Sequence, residues 1–340
     1  MTDLGFPATI ESPTFGTIGL VAGLIVLGVV AWVALLPWIV QPFLRLVLWF
    51  RYDLKRVGLE NLPRTGPVLL ASNHMSWFDG FFLAASLPRR GTALMNSDVF
   101  RWPVIGYLAR RCGLISVPYR GPKAQRAAIE VCRQALAEGR LLGIFPEGQL
   151  SRNGLTGPFH RGLEVILAKR EDVAVIPVYL DNVWGSIMSF SGGKFVKKRP
   201  EGWRRTVVIS FGPRVEPPVT AFKVRQAVLA AGVVAHAQLG RHRPIETIDP
   251  TLPHFEHPRL GLLTASTPDF TMDDTTQIGH KAGSVGSPLP GVVIRAVDES
   301  GEPLPADGEG RLQALVAGQA DWVDLDRQGR VDRDGFIFLT

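Results

Sequence analysis

Cysteine is nearly absent from this chain of 340 residues, which has two, Cys112 and Cys132. Their number and separation exclude a disulfide scaffold and a cysteine-built metal module, and each reads as a small buried apolar residue. A reduced compartment is consistent with that usage. Charge is also missing from one long stretch: Ser12 to Leu44 has none, and Gly16 to Val40 is almost wholly apolar. That run exceeds the ~20 residues that carry a helix across a bilayer. A cleaved leader would need Lys or Arg ahead of its apolar core, and Asp3 and Glu11 stand there instead. The expectation is an N-terminal transmembrane helix within an anchor over residues 1–50, with a buried soluble helix as the rival. Arg45, Arg51, Lys55 and Arg56 follow the run, so the positive-inside rule places everything downstream in the cytoplasm. Trp32, Trp38 and Trp49 fit an interfacial belt. Pro37 and Pro42 predict a kink, after which 43–50 lies along the membrane surface.

What the chain does have is alternation. Apolar residues make up 46% of it, high for a soluble chain and low for a polytopic membrane protein. After a polar connector from Asp53 to Arg64, strands are predicted over 68–71, 92–95, 113–117, 141–145, 173–180 and 206–211. Helices are predicted over 79–87, 100–111, 123–138, 163–169 and 222–239. Strands alternating with helices specify an α/β fold, a layered sheet with flanking helices. Functional residues then gather in loops at one edge of that sheet, because both faces are packed. The body so defined is 51–240. A Pro- and His-rich linker, 241–262, follows, and 263–340 reads as a small β-rich fragment of hairpins at 291–297, 310–316 and 335–339.

The stretch with the clearest chemistry is Asn73-His74-Met75-Ser76-Trp77-Phe78-Asp79, just past the apolar strand 67–71. An imidazole can take a proton near neutral pH, and a carboxylate can fix its tautomer and stabilise the imidazolium. Such a pair alone is more often structural than catalytic. Three further stretches change that balance. They are Gly113-Leu-Ile-Ser-Val-Pro-Tyr-Arg120, Phe145-Pro146-Glu147-Gly148 with Ser151 and Arg152 after it, and Val175-Ile176-Pro177-Val178.

In order and separation these four stretches resemble the glycerolipid acyltransferase family of the PlsC type, over about Leu59 to Pro218. The resemblance implies direct transfer of an acyl group from a thioester to an alcohol, without an acyl-enzyme. His74 would be the base and Asp79 its orienting partner, with Asn73 supporting the turn beside the acceptor. Arg120 would hold the acceptor's phosphate, and Phe145, Pro146, Glu147 and Gly148 would complete the acceptor site. Without the resemblance, Arg120 is equally a surface arginine and Glu147 an arginine's partner. Ser76 reads as a turn residue, and Trp77 and Phe78 as core. No metal and no bound cofactor is implied, since acyl-CoA or acyl-ACP arrives as the acyl donor.

One departure bears on the acceptor. Where the family commonly places a small hydroxyl residue and an arginine directly after the glycine, this chain has Gln149-Leu150, and Ser151-Arg152 comes two positions later. That version is more similar to the acyltransferase part of bifunctional proteins that reacylate 2-acyl-glycerophosphoethanolamine, fused to an acyl-ACP synthetase. The segment from Thr264 to Thr340 independently resembles the middle of adenylate-forming (AMP-binding) acyl-activating enzymes. It does so through Thr275-Thr276-Gln277, Lys281, Gly283, Gly286, Pro288 and Gly291, through Pro303, Pro305, Gly308 and Gly310, and through Asp332-x-Asp334-Gly335-Phe336. Its nucleotide-phosphate loop, its ribose-binding triplet near Asp324-Leu325-Asp326 and its lid lysine are not found, so fatty-acid activation is not expected of it. It reads as a remnant or as part of a truncated fusion.

The expected partners are a lysophospholipid acceptor and acyl-CoA or acyl carrier protein. The expected location is a bacterial-type inner membrane. The chain's net charge is +6, and Lys194 to Arg205 concentrates Lys197, Lys198, Arg199, Arg204 and Arg205 around Phe195 and Trp203. Lipid headgroup contact leads there, ahead of carrier-protein docking and a solvated face. Nucleic acid is not expected, because no nucleic-acid motif accompanies the charge. The reading from another class is an idle membrane scaffold that binds a partner synthetase.

Overall fold

The computed structural model describes residues 15–111, 113–117, 122–193, 203–239, 245, 247–272 and 275–340. Asp3, Glu11, Cys112, Arg120, most of the basic stretch (194–202) and much of the expected linker lie outside them. The described chain begins with helix α1 (Phe15–Arg51), followed by strand β1 (Tyr52–Val57), a short 3-10 turn and β2 (Val68–Ser72). Helix α2 (Asp79–Ser86) leads to β3 (Gly91–Asn96), then α3 (Ser97–Phe100), α4 (Pro103–Arg111) and β4 (Ile115–Val117). Next come α5 (Pro122–Ala137), β5 (Leu141–Ile144), α6 (Gly162–Leu167), β6 (Ala174–Asp181), β7 (Arg205–Phe211) and α7 (Ala221–Ala237).

These strands form one seven-stranded sheet in the order β1-β7-β6-β2-β5-β3-β4. All neighbours are parallel except β6 and β7. Alternation along the strands sorts the core into two layers. Leu69, Ala71, Leu142, Val175 and Val208 face α5, α6 and α7. Val68, Leu70, Leu141, Ile176, Val207 and Ile209 face α2 and the end of α1 at Leu48. Every residue of β2 and β6 is buried, as strands packed on both faces require. Pro177 stands just before the β6–β7 ladder begins at Val178 and Phe211, so its missing N–H breaks no bond there.

The sequence expectation of a polar connector from Asp53 is corrected at its start. Residues 52–57 are an edge strand paired with β7, and their polarity reflects the exposed edge. Helix α1 runs without a break in its assignment through Pro37 and Pro42, so residues 43–50, expected to lie along the membrane surface, form the end of the same helix. Among the described residues, no helix is long and apolar enough to cross a membrane. The described side chains of α1 still include a row of exposed apolar ones, among them Leu20, Leu24, Ile25, Leu27, Val30, Leu35 and Ile39.

The C-terminal unit is all β. It comprises β8 (His254–His257), β9 (Gly261–Ala265), β10 (Phe270–Met272), β11 (Thr275–Gln277), β12 (Ser287–Pro288), β13 (Val292–Val297), β14 (Glu309–Val316), β15 (Val323–Val331) and β16 (Ile337–Leu339). β13 to β16 form an antiparallel meander, β8, β9 and β12 a three-stranded sheet, and β10–β11 a hairpin. The meander lies on α7, where Val293 joins the same cluster as Val224 and Val228 and Gln226 donates to the Ile294 carbonyl. With β6 and β7 on one side and β13 on the other, α7 is buried nearly all round.

Candidate active site

β2 and β5 are parallel neighbours, so the loops after Ser72 and Ile144 leave the sheet side by side. Asn73 opens the first. It has no exposed surface, its Oδ1 accepts the Leu180 N–H (2.8 Å), and its Nδ2 donates to the Leu180 carbonyl (3.1 Å). Its amide is therefore engaged in joining β2 to β6, and it supports the loop from beneath.

His74 follows, with its side chain about one-fifth exposed, and its Nδ1 lies 2.9 Å from Asp79 Oδ2. Asp79 has no exposed surface, and the same oxygen accepts the backbone N–H groups of Met75 (2.6 Å) and Ser76 (2.8 Å). Burial raises the Asp79 pKa, while His74 and the two backbone donors oppose the rise. Three donors on one oxygen demand an acceptor, so Nδ1 carries the His74 hydrogen and Nε2 keeps its lone pair. Phe145 stacks on the imidazole, with centroids 4.0 Å apart and planes within 11°, which fixes the ring's plane.

Glu147, in the neighbouring loop, is 3% exposed. Its Oε1 accepts the His74 N–H and its Oε2 the Gly157 N–H, both at 2.8 Å. Burial pushes this carboxyl up to about 8, against the pull of those donors and of Arg225. Both oxygens are held by backbone, so the expected acceptor contact is replaced by a clamp between two loops. Pro146 is buried, and its carbonyl accepts the His160 N–H (2.9 Å). Gly148 has φ +67, and a Cβ there would meet the His160 ring at 3.1 Å, so its close approach is to protein. The Ser151 N–H returns to the His74 carbonyl (2.8 Å).

The displaced Arg152 faces the C-terminal unit. Its N–H donates to Gln277 Oε1 (2.8 Å), its Nη1 to the Thr275 carbonyl (3.3 Å), and its guanidinium lies 5.9 Å from the Phe190 ring centre. Sequence reasoning missed Arg225, which is 1% exposed and donates to the Gly157 (2.9 Å) and Thr156 (2.9 Å) carbonyls. It also missed a second His–Asp pair, His236 Nδ1 to Asp181 Oδ2 at 2.8 Å. Neither carries a local motif, because each partner comes from a distant segment. Among the described residues, no group of three or more His, Cys, Asp or Glu is placed to hold a metal. Arg120 is outside the described residues.

The dyad and its buried clamp lie at the carboxyl ends of neighbouring strands, within the stretch, residues 53–181, that matches the acyltransferase family model. Over those residues the chain is similar to that family. Among curated proteins it is similar to the 1-acyl-sn-glycerol-3-phosphate acyltransferase LPAT1, chloroplastic, of Arabidopsis thaliana. The two are 32% identical over 130 residues, 38% of this chain and 36% of that protein. It is also similar to the 1-acyl-sn-glycerol-3-phosphate acyltransferase of Borreliella burgdorferi, at 29% identity over 37% of this chain and 50% of that one. Among solved structures, the 1-acyl-sn-glycerophosphate (LPA) acyltransferase PlsC of Thermotoga maritima overlaps 60% of this chain and 81% of its own. The TM-score is 0.47 at 19% identity. The chain spans between about a third and a half of the length of these two curated relatives. The matched stretch holds both His74 and Glu147, and its last residue is Asp181 of the second pair.

Proposed function

We propose that this protein is a membrane-anchored O-acyltransferase. It moves a fatty acyl chain from acyl-CoA or acyl-ACP to the free hydroxyl of a lysophospholipid, 1-acylglycerol-3-phosphate or 2-acyl-glycerophosphoethanolamine. The observation that carries this reading is the His74 Nδ1–Asp79 Oδ2 contact of 2.9 Å, which leaves Nε2 as the basic atom of a partly exposed ring. The acceptor hydroxyl gives its proton to Nε2 as its oxygen attacks the thioester carbonyl carbon. The C–S bond then breaks, and the departing thiolate takes that proton back from the imidazolium. Asp79 stabilises the imidazolium between these steps, and the protein forms no covalent bond. Arg120 keeps its proposed role as the grip on the acceptor's phosphate.

The anchor is α1, whose exposed apolar side chains would lie in lipid. Its C-terminal end supports headgroup contact. Arg51 donates to the Trp203 carbonyl (2.9 Å), Arg204 lies 5.5 Å from the Trp49 ring centre, and Trp203 is 78% exposed. Arginines interleaved with exposed tryptophans suit the interfacial zone on the cytoplasmic side.

The test is transfer by detergent-solubilised protein, with labelled acyl-CoA and acyl-ACP each offered both lysophospholipids and His74→Ala as the blank. Expected is turnover with at least one pair, reduced about 10³-fold or more in the variant. Turnover on the phosphate monoester would assign Arg120 alone to that headgroup. Turnover only on the ethanolamine lipid would make Gln149-Leu150 a specificity change. If no pair reacts with wild-type protein, the scaffold reading takes its place.

A further inference from the structure

The C-terminal unit touches the acyltransferase domain where the domain's clamp is built. Gly335, in the loop between β15 and β16, lies against the guanidinium of Arg225, and a Cβ at that position would sit 2.1 Å from Nη1 and 2.2 Å from Cζ. Arg225 in turn holds the Gly157 carbonyl, the Gly157 N–H is held by Glu147 Oε2, and Glu147 Oε1 holds the His74 N–H. Five residues thus connect the C-terminal unit to the proposed base. Each link is a part-buried hydrogen bond or a close contact with no room for a side chain.

Charge follows the same line. Burial lowers the Arg225 pKa, and acids on both sides oppose this: Glu147 from the acyltransferase domain, Asp332 and Asp334 from the C-terminal unit, with the Tyr179 phenol adding to them. Asp332 and Asp334 are themselves held by Lys281 Nζ, at 2.5 and 2.6 Å. Glu147 also faces Asp79. A buried guanidinium is tolerated when its surroundings supply compensating charge and acceptors, and here both units supply them. Arg225 Nη1 has no hydrogen-bond partner among the described residues and is the atom nearest Gly335.

We propose that the C-terminal unit is a positioning element of the acyltransferase site, acting through Arg225 on the Glu147 clamp that sets the His74 backbone. This rests on the acyl-transfer reading above and extends it, giving a fragment without adenylation chemistry a task in the transfer reaction. Arg225 is a positioning residue and need not touch either substrate.

Gly335 and Gly318 offer a matched pair for the test. Both have φ +88, so alanine imposes the same backbone strain at each, yet nothing lies within 4 Å of a Cβ at Gly318. Full-length Gly335→Ala and Gly318→Ala are compared for transfer kinetics over pH and for amide hydrogen exchange in peptides covering 68–78 and 145–160. Expected for Gly335→Ala is a kcat about 10- to 100-fold lower with a smaller change in KM, as misplacement of a reacting group gives. Any inflection due to Glu147 moves to higher pH, because the cation that opposes its protonation has been displaced. Exchange in both peptides rises by about 10-fold or more. Gly318→Ala leaves all of these near wild type. Arg225→Lys keeps the charge but cannot hold both carbonyls, and is expected to follow Gly335→Ala. The proposal is overturned if Gly335→Ala and Arg225→Lys match Gly318→Ala in kcat, pH profile and exchange. If wild-type protein transfers no acyl group, the functional reading falls and the exchange comparison alone decides the coupling.

Discussion

Replacing Asp79 by Asn keeps an oxygen for the Met75 and Ser76 amides and for His74 Nδ1 but removes the negative charge that stabilises the imidazolium. Replacing it by Ala also leaves those two amides without an acceptor in a site with no exposure. The two variants therefore separate the carboxylate's charge from loop structure. Asp79→Asn is expected to lose about 10³- to 10⁴-fold in kcat with a modest change in melting temperature. Asp79→Ala is expected to lose a similar factor and to be destabilised further, by about 1–3 kcal/mol for each stranded N–H. Kinetics and thermal melts on the same preparations check this, and equal melting temperatures for the two variants would remove the structural role. The pairing of His74 with Asp79 was legible in the sequence, since one loop carries both residues. The role of Glu147 was not, because its donors sit at His74 and Gly157 and only the folded chain brings them together.

At the scale of elements, the site depends on how tightly β2 and β6 are joined at their carboxyl ends. The regular pairing ends at Ser72 and Val178, and Asn73 extends it by two side-chain bonds to Leu180. Asn73→Ala strands one buried N–H and one buried carbonyl, an expected loss of about 2–4 kcal/mol. Asn73→Asp restores the acceptor only. A chemical-denaturation series should therefore rank wild type, then Asp, then Ala, and wild-type stability in the Ala variant would show the clasp to be idle. Strands such as β2 and β6 were legible because burial on both faces gives uninterrupted apolar runs. β1 was not: an exposed edge with Asp53, Lys55 and Arg56 has the composition of a loop, and its partner β7 is some 150 residues away. Helix α7 was found, but its all-round burial was hidden, because the sheet that covers its outer side belongs to what the sequence presents as a separate fragment.

For the molecule as a whole, the testable feature is the proposed role of α1 as a membrane anchor. Its exposed Leu, Ile and Val side chains would be costly in water, and arginines and tryptophans crowd its C-terminal end. The protein is expected to stay with membrane pellets through alkaline carbonate washing and to be released by detergent. Release by carbonate alone would reduce α1 to a surface contact, and release by salt alone would leave only the basic residues in play. The apolar length of this helix was the most visible feature of the sequence, whereas the direction in which Arg152 points was not readable at all. Only the docked position of Gln277 and Thr275 shows that this arginine faces the second unit.

The sharing of α7 has a consequence for biosynthesis. During translation the helix is complete at Ala237, but the strand that covers its outer side, β13, begins only at Val292. At about 5–20 residues per second, that interval lasts several seconds. Throughout it the seven-stranded sheet carries a helix whose outer apolar side chains, Val224 and Val228 among them, await Val293. Nascent chains caught in this window should be the form of the protein that chaperones hold and proteases clear, so codon choice between 238 and 292 would govern yield without altering a single residue.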